Sequence, residues 1–322
     1  MRAIQIAQTG GPEVLQLAEV AKPEANSGEV LVHVAAAGLN FIDVYLREGR
    51  YPAPLPFIAG QEGAGVVVAV GADVAGFNLG DHVAWSSTRG SYAEFVAVPV
   101  ASLVKVPDGI SLEDAAAVMA QGLTAHYLAM DTYAIKPGDT VLVHAGAGGV
   151  GLLLTQIAKL QGARVITTVS TEAKAELSRG AGADHAILYT EQNFAEEVKR
   201  MTAGELLPVV YDSVGKTTFE DSLKCLRPRG LMVLFGASSG AVPPFDLIRL
   251  SQIGSLYVTR PTMKDYLQTH EELQHRATEL FGWMGRGKLH VRIGDRFPLA
   301  EAAEAHRALE GRRTTGKVLL IP

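Results

Sequence analysis

The chain has 322 residues, 48% hydrophobic and 20% charged, which excludes disorder as a description of the whole. At roughly 150 residues per domain, that length points to two domains. Its 29 basic and 34 acidic residues give a formal charge of −5, the wrong balance for a dedicated nucleic-acid binder. In chain order, the first third reads as β-rich. Segments 1–6, 29–37, 65–70, 82–85 and 91–98 are strand-like, with breaks at Gly28, Gly71, Gly80 and Gly109. A helix is expected over 40–47. From Ser111 the texture changes: Ser111 with Asp114 three residues on marks a helix start, and 112–131 runs on with a possible break at Gly122. Strands (140–144, 164–169, 186–188, 209–213, 230–235, 255–259) then alternate with helices (150–161, 172–179, 194–201, 219–225). That alternation implies a parallel, doubly wound sheet. The tail reads as helices 265–284 and 299–309 and a last strand, 316–321.

A single cysteine, Cys225, excludes an internal disulfide and a four-cysteine zinc lobe. No basic start followed by an apolar run is visible, and the longest apolar stretch, 141–158, is interrupted by His144, Thr155, Gln156 and glycines. A soluble cytoplasmic protein with no membrane contact is expected.

The strand at 140–143 runs through His144 and Ala145 into Gly146-Ala147-Gly148-Gly149-Val150-Gly151, and an apolar helix follows. A bare G-x-G-x-x-G is weak evidence in a glycine-rich chain. Placed between a strand and a helix it reads as a dinucleotide-binding turn. The first glycine is assigned the tight turn, the second the close approach of a pyrophosphate, the third the packing of helix on strand. The helix start offers free N–H groups to phosphate. The next strand ends in Ser170-Thr171 with no carboxylate at its tip; Glu172 opens the following helix and Lys174 lies further along it. Two hydroxyls and an ammonium suit a 2′-phosphate, and hence NADPH, better than a free ribose diol.

Further segments follow in a recognisable order: Gly10-Gly11-Pro12-Glu13-Val14-Leu15, Gly38-Leu39-Asn40-Phe41-Ile42-Asp43, Gly60-Gln61-Glu62-Gly63-Ala64-Gly65, Gly80-Asp81-His82-Val83, Gln121-Gly122-Leu123-Thr124-Ala125, Tyr211-Asp212-Ser213-Val214-Gly215 and Phe235-Gly236. Through these the chain resembles, end to end, the medium-chain dehydrogenases/reductases, and closely their zinc-free, zeta-crystallin-like quinone oxidoreductases. The resemblance implies a GroES-like catalytic domain (1–122 and 262–322), a Rossmann NADPH-binding domain (123–261) and an active-site cleft at their junction. Zinc members carry Gly-His-Glu where this chain has Gly60-Gln61-Glu62, and a cysteine in the segment around Gly38-Leu39-Asn40. No metal is therefore expected, and His33, His82, His126 and His144 read as structural or pocket-lining.

The implied chemistry is hydride delivery from a dihydronicotinamide to an acceptor that carries negative charge itself: a quinone or, as the alternative within the family, an alkenal or enone double bond. The resemblance places Asn40, Tyr45, Tyr51, Gln61 and Thr124 at the substrate and nicotinamide. Asn40 also fits a helix N-cap, and Tyr51, in a Pro-rich turn, also fits loop packing. For the cofactor the resemblance implies Gly146, Gly148, Gly149, Val150 and Gly151 at the pyrophosphate. It puts Lys174, Tyr189 and Arg312 on the 2′-phosphate side, beside Ser170 and Thr171 read above, with Arg313 the competitor of Arg312. Asp212 and Ser213 lie near the adenosine ribose or pyrophosphate path. Phe41, Ile42, Asp43, Tyr127, Phe235, Gly236, Ser238, Val258, Thr259 and Arg260 lie towards the nicotinamide. Some relatives serve as lens proteins or bind RNA; the charge balance sets nucleic acid aside here. A homodimer through the apolar edge strand 254–259 is expected.

Overall fold

The computed structural model describes residues 1–322. They divide into two compact units, Met1–Leu123 with Leu267–Pro322, and Thr124–Tyr266. The chain begins with β1 (Arg2–Ile6), β2 (Gln16–Glu19), β3 (Glu29–Leu39), α1 (Phe41–Arg47), β4 (Phe57–Ile58), β5 (Gly63–Val70), β6 (His82–Trp85), β7 (Phe95–Pro99), β8 (Leu103–Lys105) and α2 (Leu112–Tyr127). Next come β9 (Thr140–Val143), α3 (Gly149–Leu160), β10 (Arg164–Val169), α4 (Glu172–Gly180), β11 (His185–Leu188), α5 (Phe194–Met201), β12 (Leu207–Asp212), α6 (Phe219–Lys224), β13 (Leu226–Leu234), α7 (Ile248–Ile253) and β14 (Tyr257–Thr259). The tail adds α8 (His270–Gly285), β15 (Ile293–Pro298), α9 (Ala302–Glu310) and β16 (Lys317–Ile321).

In the first unit the long β3 is the organiser. It pairs antiparallel with β5, β7 and β16. The register Val318↔Leu39 returns the tail to the N-terminal strands. Tail residues Leu299, Ala302, Ala305, Val318 and Leu320 accordingly share one core with Ile4, Val32, Trp85 and Tyr92. β15 lies parallel to β16. Its sequence, Ile-Gly-Asp-Arg-Phe-Pro, carries no apolar alternation, so pattern alone reads it as loop. Helix α2 continues through Gly122 rather than breaking there. A Cβ at Gly122 would lie 2.7 Å from Val118 Cγ2 and 3.2 Å from Leu280 Cδ1, so the glycine serves close packing. A π-helical turn, Leu128–Thr132, follows α2. In the tail, the helix expected from 265 starts at His270. There Thr269 and Glu272 form a capping box that fixes the start.

The second unit is a six-stranded sheet in the order β11-β10-β9-β12-β13-β14, with every pairing parallel. Counted from β9, that order is 3-2-1-4-5-6, the doubly wound dinucleotide-binding topology. The central strands are buried on both faces, and so read as near-continuous apolar runs such as Thr-Val-Leu-Val in β9. Their inward residues, among them Leu142, Ile166, Val210 and Met232, form the core. No helix is long and apolar enough to cross a membrane.

Candidate cofactor and substrate sites

In a doubly wound sheet, ligands bind beyond the carboxyl ends of the strands where the order reverses. Here that point lies between β9 and β12. The glycine loop follows β9 directly, and its division of labour differs in one respect from the sequence reading. The left-handed residue of the turn is Ala145 (φ 53°), not Gly146. Gly146 is required by contact instead: a Cβ there would lie 2.5 Å from Thr167 Cβ and 2.8 Å from Ser178 Oγ. At Gly151 a Cβ would overlap the Ala145 carbonyl and sit 3.0 Å from Gly146 Cα. Gly148 differs from both, because its Cβ would meet only Ala145, at 3.2 Å from the carbonyl oxygen. Gly148 is also the N-cap of α3 and brings no side chain to the first-turn N–H groups of Gly149, Val150 and Gly151. The cradle thus fits a pyrophosphate: first-turn donors at a twelve-residue helix start, and a second glycine whose absent Cβ would meet only Ala145.

The remaining expected cofactor residues of this unit cluster at the other strand ends. Ser170 and Thr171 follow β10; Thr171 caps α4, its Oγ1 accepting from the Lys174 backbone N–H at 3.3 Å. Tyr189 follows β11, the neighbour of β10, and is exposed. Thr190 Oγ1 donates to the Ser170 carbonyl at 3.1 Å, tying the two strand ends together. The nearest carboxylate, Glu172, is taken by Arg179. Ser213 follows β12, while Phe235, Gly236 and Ser238 follow β13. Gly236 approaches the Ser213 backbone so closely that any side chain would collide with it. Val258 and Thr259 lie in β14, and Arg260 follows it with Nη1 donating to the Leu234 carbonyl at 2.9 Å. Thr124 is half-buried in α2. Tyr127 is buried and stacked on Tyr266, centroids 4.3 Å apart, so its ring is committed to that packing. Arg312 belongs to the first unit, exposed and left-handed (φ 56°) after α9. Its neighbour Arg313 is taken up by Glu304 at 3.0 Å.

A buried polar network under the glycine loop was not assigned from sequence. His144 Nδ1 is 2.8 Å from Thr168 Oγ1 and its Nε2 is 2.9 Å from Ser222 Oγ. Ser222 donates to Asp212 Oδ2 at 3.3 Å. Asp212 Oδ1 accepts from the Val214 and Gly215 N–H groups at 2.7 and 3.0 Å. The network links the carboxyl ends of β9, β10 and β12. Burial lowers the His144 imidazole, against an opposing pull from Asp212, and keeps it neutral. Only its position before the glycine loop marked it in the sequence.

In the first unit, Asn40 is the N-cap of α1 and forms a capping box with Asp43. The Asn40 N–H donates to Asp43 Oδ2 at 2.9 Å, while the amide turns to Glu62 and Lys317. Asn40 thus keeps the N-cap place expected of it and also turns its amide to Glu62 and Lys317. Asp43 is buried, and Tyr92 OH donates to its Oδ2 at 3.1 Å. Its carboxylate faces inward, and burial raises it to about 7. Phe41, Tyr45 and Tyr51 form an aromatic run: Phe41–Tyr45 centroids lie 6.2 Å apart, and Tyr45–Tyr51 meet edge-on at 5.6 Å. Tyr45 is buried and Tyr51 is 42% exposed. Ile42 and Gln61 are half-buried. No three His, Cys, Asp or Glu side chains converge in a metal-binding cluster.

Comparison with known proteins gives the same outline. The family "Alcohol dehydrogenase GroES-like domain" matches residues 26–108, and "Zinc-binding dehydrogenase" matches 149–276. A quinone oxidoreductase of Pseudomonas aeruginosa is 51% identical over 100% of this chain and 99% of its own. The chain belongs to the zeta-crystallin-like quinone oxidoreductase family of the medium-chain dehydrogenases/reductases. A crystal structure of Escherichia coli quinone oxidoreductase complexed with NADPH superposes with a TM-score of 0.98, at 44% identity and full coverage of both chains. A 2-haloacrylate reductase of Burkholderia is 41% identical over 99% of this chain and 98% of its own. The zinc members of the wider superfamily carry histidine in the segment where this chain has Gly60-Gln61-Glu62. Here residue 61 is glutamine, and Glu62 is paired with the Lys317 ammonium.

Proposed function

We propose that the chain is an NADPH-dependent quinone oxidoreductase that works without a metal. One observation carries the cofactor choice. Beyond the carboxyl ends of β10 and β11 stand Ser170, Thr171, Lys174 and Tyr189, and Glu172, the carboxylate that opens α4, is paired with Arg179. That set, with no carboxylate at the tip of β10, suits a 2′-phosphate better than a ribose diol. Gly146, Gly148, Gly149, Val150 and Gly151 hold the pyrophosphate, and Ser213 follows along the ribose path. Phe235, Gly236, Ser238, Val258, Thr259 and Arg260 flank the nicotinamide side.

When bound, NADPH supplies the hydride. The chain's own residues do the rest. Asn40 and Gln61 donate hydrogen bonds to the acceptor oxygen on which charge develops. Tyr51, with Tyr45 beside it, offers an aromatic surface for a flat ring. Phe41 and Ile42 contribute apolar contact, whereas Asp43 acts by holding the α1 start. Metal independence is supported by Gln61 and by the ammonium beside Glu62. We also propose a homodimer through β14.

A second reading, reduction of an activated double bond, is favoured by the relative named 2-haloacrylate reductase. The same donors would stabilise an enolate. The test is a panel of quinones, enones and 2-haloacrylate with NADPH and NADH, read by loss of reduced-nicotinamide absorbance before and after dialysis against a strong chelator. Quinone turnover with NADPH, unchanged by the chelator, is expected. Turnover of alkenes alone would establish the second reading, and stoichiometric zinc lost together with activity would end the metal-free one.

A further inference from the structure

We propose that Lys317, paired with Glu62, is a positioning residue that fixes the Asn40 amide in the orientation the reaction needs. The inference rests on the role given to Asn40 above. An asparagine amide has two nearly isosteric orientations, one presenting oxygen where the other presents N–H. Here its neighbours allow only one. Lysine can only donate, and Lys317 Nζ is 2.9 Å from Asn40 Oδ1. An ionised carboxylate can only accept, and Asn40 Nδ2 is 2.7 Å from Glu62 Oε2. The second N–H of Nδ2 has only the Gly38 carbonyl, at 3.5 Å, the outer limit of a hydrogen bond. It remains available to an acceptor oxygen. Because Oδ1 accepts from a cation, the amide is polarised and that N–H is a stronger donor.

The clamp is built into the fold. Lys317 opens β16, whose register Val318↔Leu39 sets it beside the residue after β3, Asn40. Glu62 immediately precedes β5, and the Gly38 N–H donates to its carbonyl at 3.0 Å. The Ala120 N–H holds Glu62 Oε1 at 2.5 Å. Lys317 and Glu62 are both fully buried and bonded to each other. Gly38 makes the room: a Cβ there would collide with the Glu62 carboxylate and lie 2.6 Å from Lys317 Cε. A buried ion pair is weak evidence for stability, since apolar residues of like volume often do as well. Its polarity makes sense as a means of ordering the amide.

The test is a double-mutant cycle on the full-length enzyme with NADPH and a quinone. Lys317→Met alone leaves Glu62 buried without its cation, so the paired variant Lys317→Met/Glu62→Gln, which removes both charges, is made beside it. A glutamine at 62 can donate or accept and no longer selects one amide orientation. The paired variant should bind NADPH with native affinity, read by nicotinamide fluorescence, while kcat falls roughly tenfold to a hundredfold. In an Asn40→Ala background the same two substitutions should cost nothing further, which a general loosening of the fold would not reproduce. Native kcat in the paired variant, or full additive losses in the Asn40→Ala background, would overturn the inference while leaving the role of Asn40 intact. Native kcat in Asn40→Ala alone would remove that role and this inference with it.

Discussion

Two buried titratable side chains of the first unit meet at one hydroxyl. Tyr92 OH donates to Asp43 and lies 3.4 Å from His306 Nε2. Arg47 Nη1 stands 3.1 Å from His306 Nδ1 and can only donate, so the imidazole carries its proton on Nε2. Burial, and then the Arg47 charge, lower His306 to about 3, while burial raises Asp43 to about 7. The signs oppose. Between its ordinary value of 3.8 and about 7, folded Asp43 holds a proton that the unfolded chain has lost, so it contributes stability at low pH that is lost as pH rises. Folded His306 lacks a proton that the unfolded chain holds below 6.5, so its contribution is lost as pH falls. The two offset each other between about pH 4 and 6.5. Asp43→Asn should expose the His306 dependence. Its stability relative to the unmodified protein should drop by about 1.4 kcal/mol per pH unit on acidification through that window, read by urea unfolding. A constant difference would refute the pairing. At the cofactor, Lys174→Ala should weaken NADPH binding at least about tenfold, since a charge-assisted contact is worth roughly 1.5–3 kcal/mol. NADH affinity should not change, and isothermal titration with both nucleotides checks the contrast.

At the scale of elements, the glycine loop separates packing from ligand approach. Gly151→Ala drives a methyl into the Ala145 carbonyl and should lower the melting temperature markedly. Gly148→Ala meets Ala145 alone, so thermal stability should be nearly kept while NADPH affinity falls. Equal thermal losses in both variants would contradict that division. The loop was legible because strand, glycines and apolar helix are contiguous in sequence. The parallel strands β9, β10 and β12 were legible for a related reason, as short apolar runs bounded by turns. β15 was not, because Gly294, Asp295 and Arg296 interrupt it and its pairing with β16 is long-range. Lys317 was hidden more completely. At the head of an apolar terminal strand a lysine reads as a solvated end, and its partner Glu62 lies 255 positions away. Gly122 misled in the opposite direction: a residue that punctuates helices in sequence is here a contact for Leu280.

At the scale of the whole molecule, β14 closes one edge of the parallel sheet and pairs only with β13. Edges of open sheets display unpaired N–H and C=O groups, and proteins blunt them with charge, proline or a covering element. This edge has none of these devices within the strand. Tyr257 is 61% exposed and Val258 39%, so the rest of the chain does not cover them. Leu247 and Ile248, at the start of α7, are exposed as well. A two-fold axis beside β14 would pair the strand with its own copy and join two six-stranded sheets into one of twelve, an isologous contact. The expected outcome is a dimer of about twice the 34.1 kDa chain in sedimentation equilibrium at micromolar concentration. Tyr257→Lys should shift it to the monomer, because two like charges would face each other across the axis. Thermal stability of the second unit should then fall with dilution in the unmodified protein but not in the variant. A species of 34.1 kDa across the whole concentration range in the unmodified protein would rule out assembly through this edge.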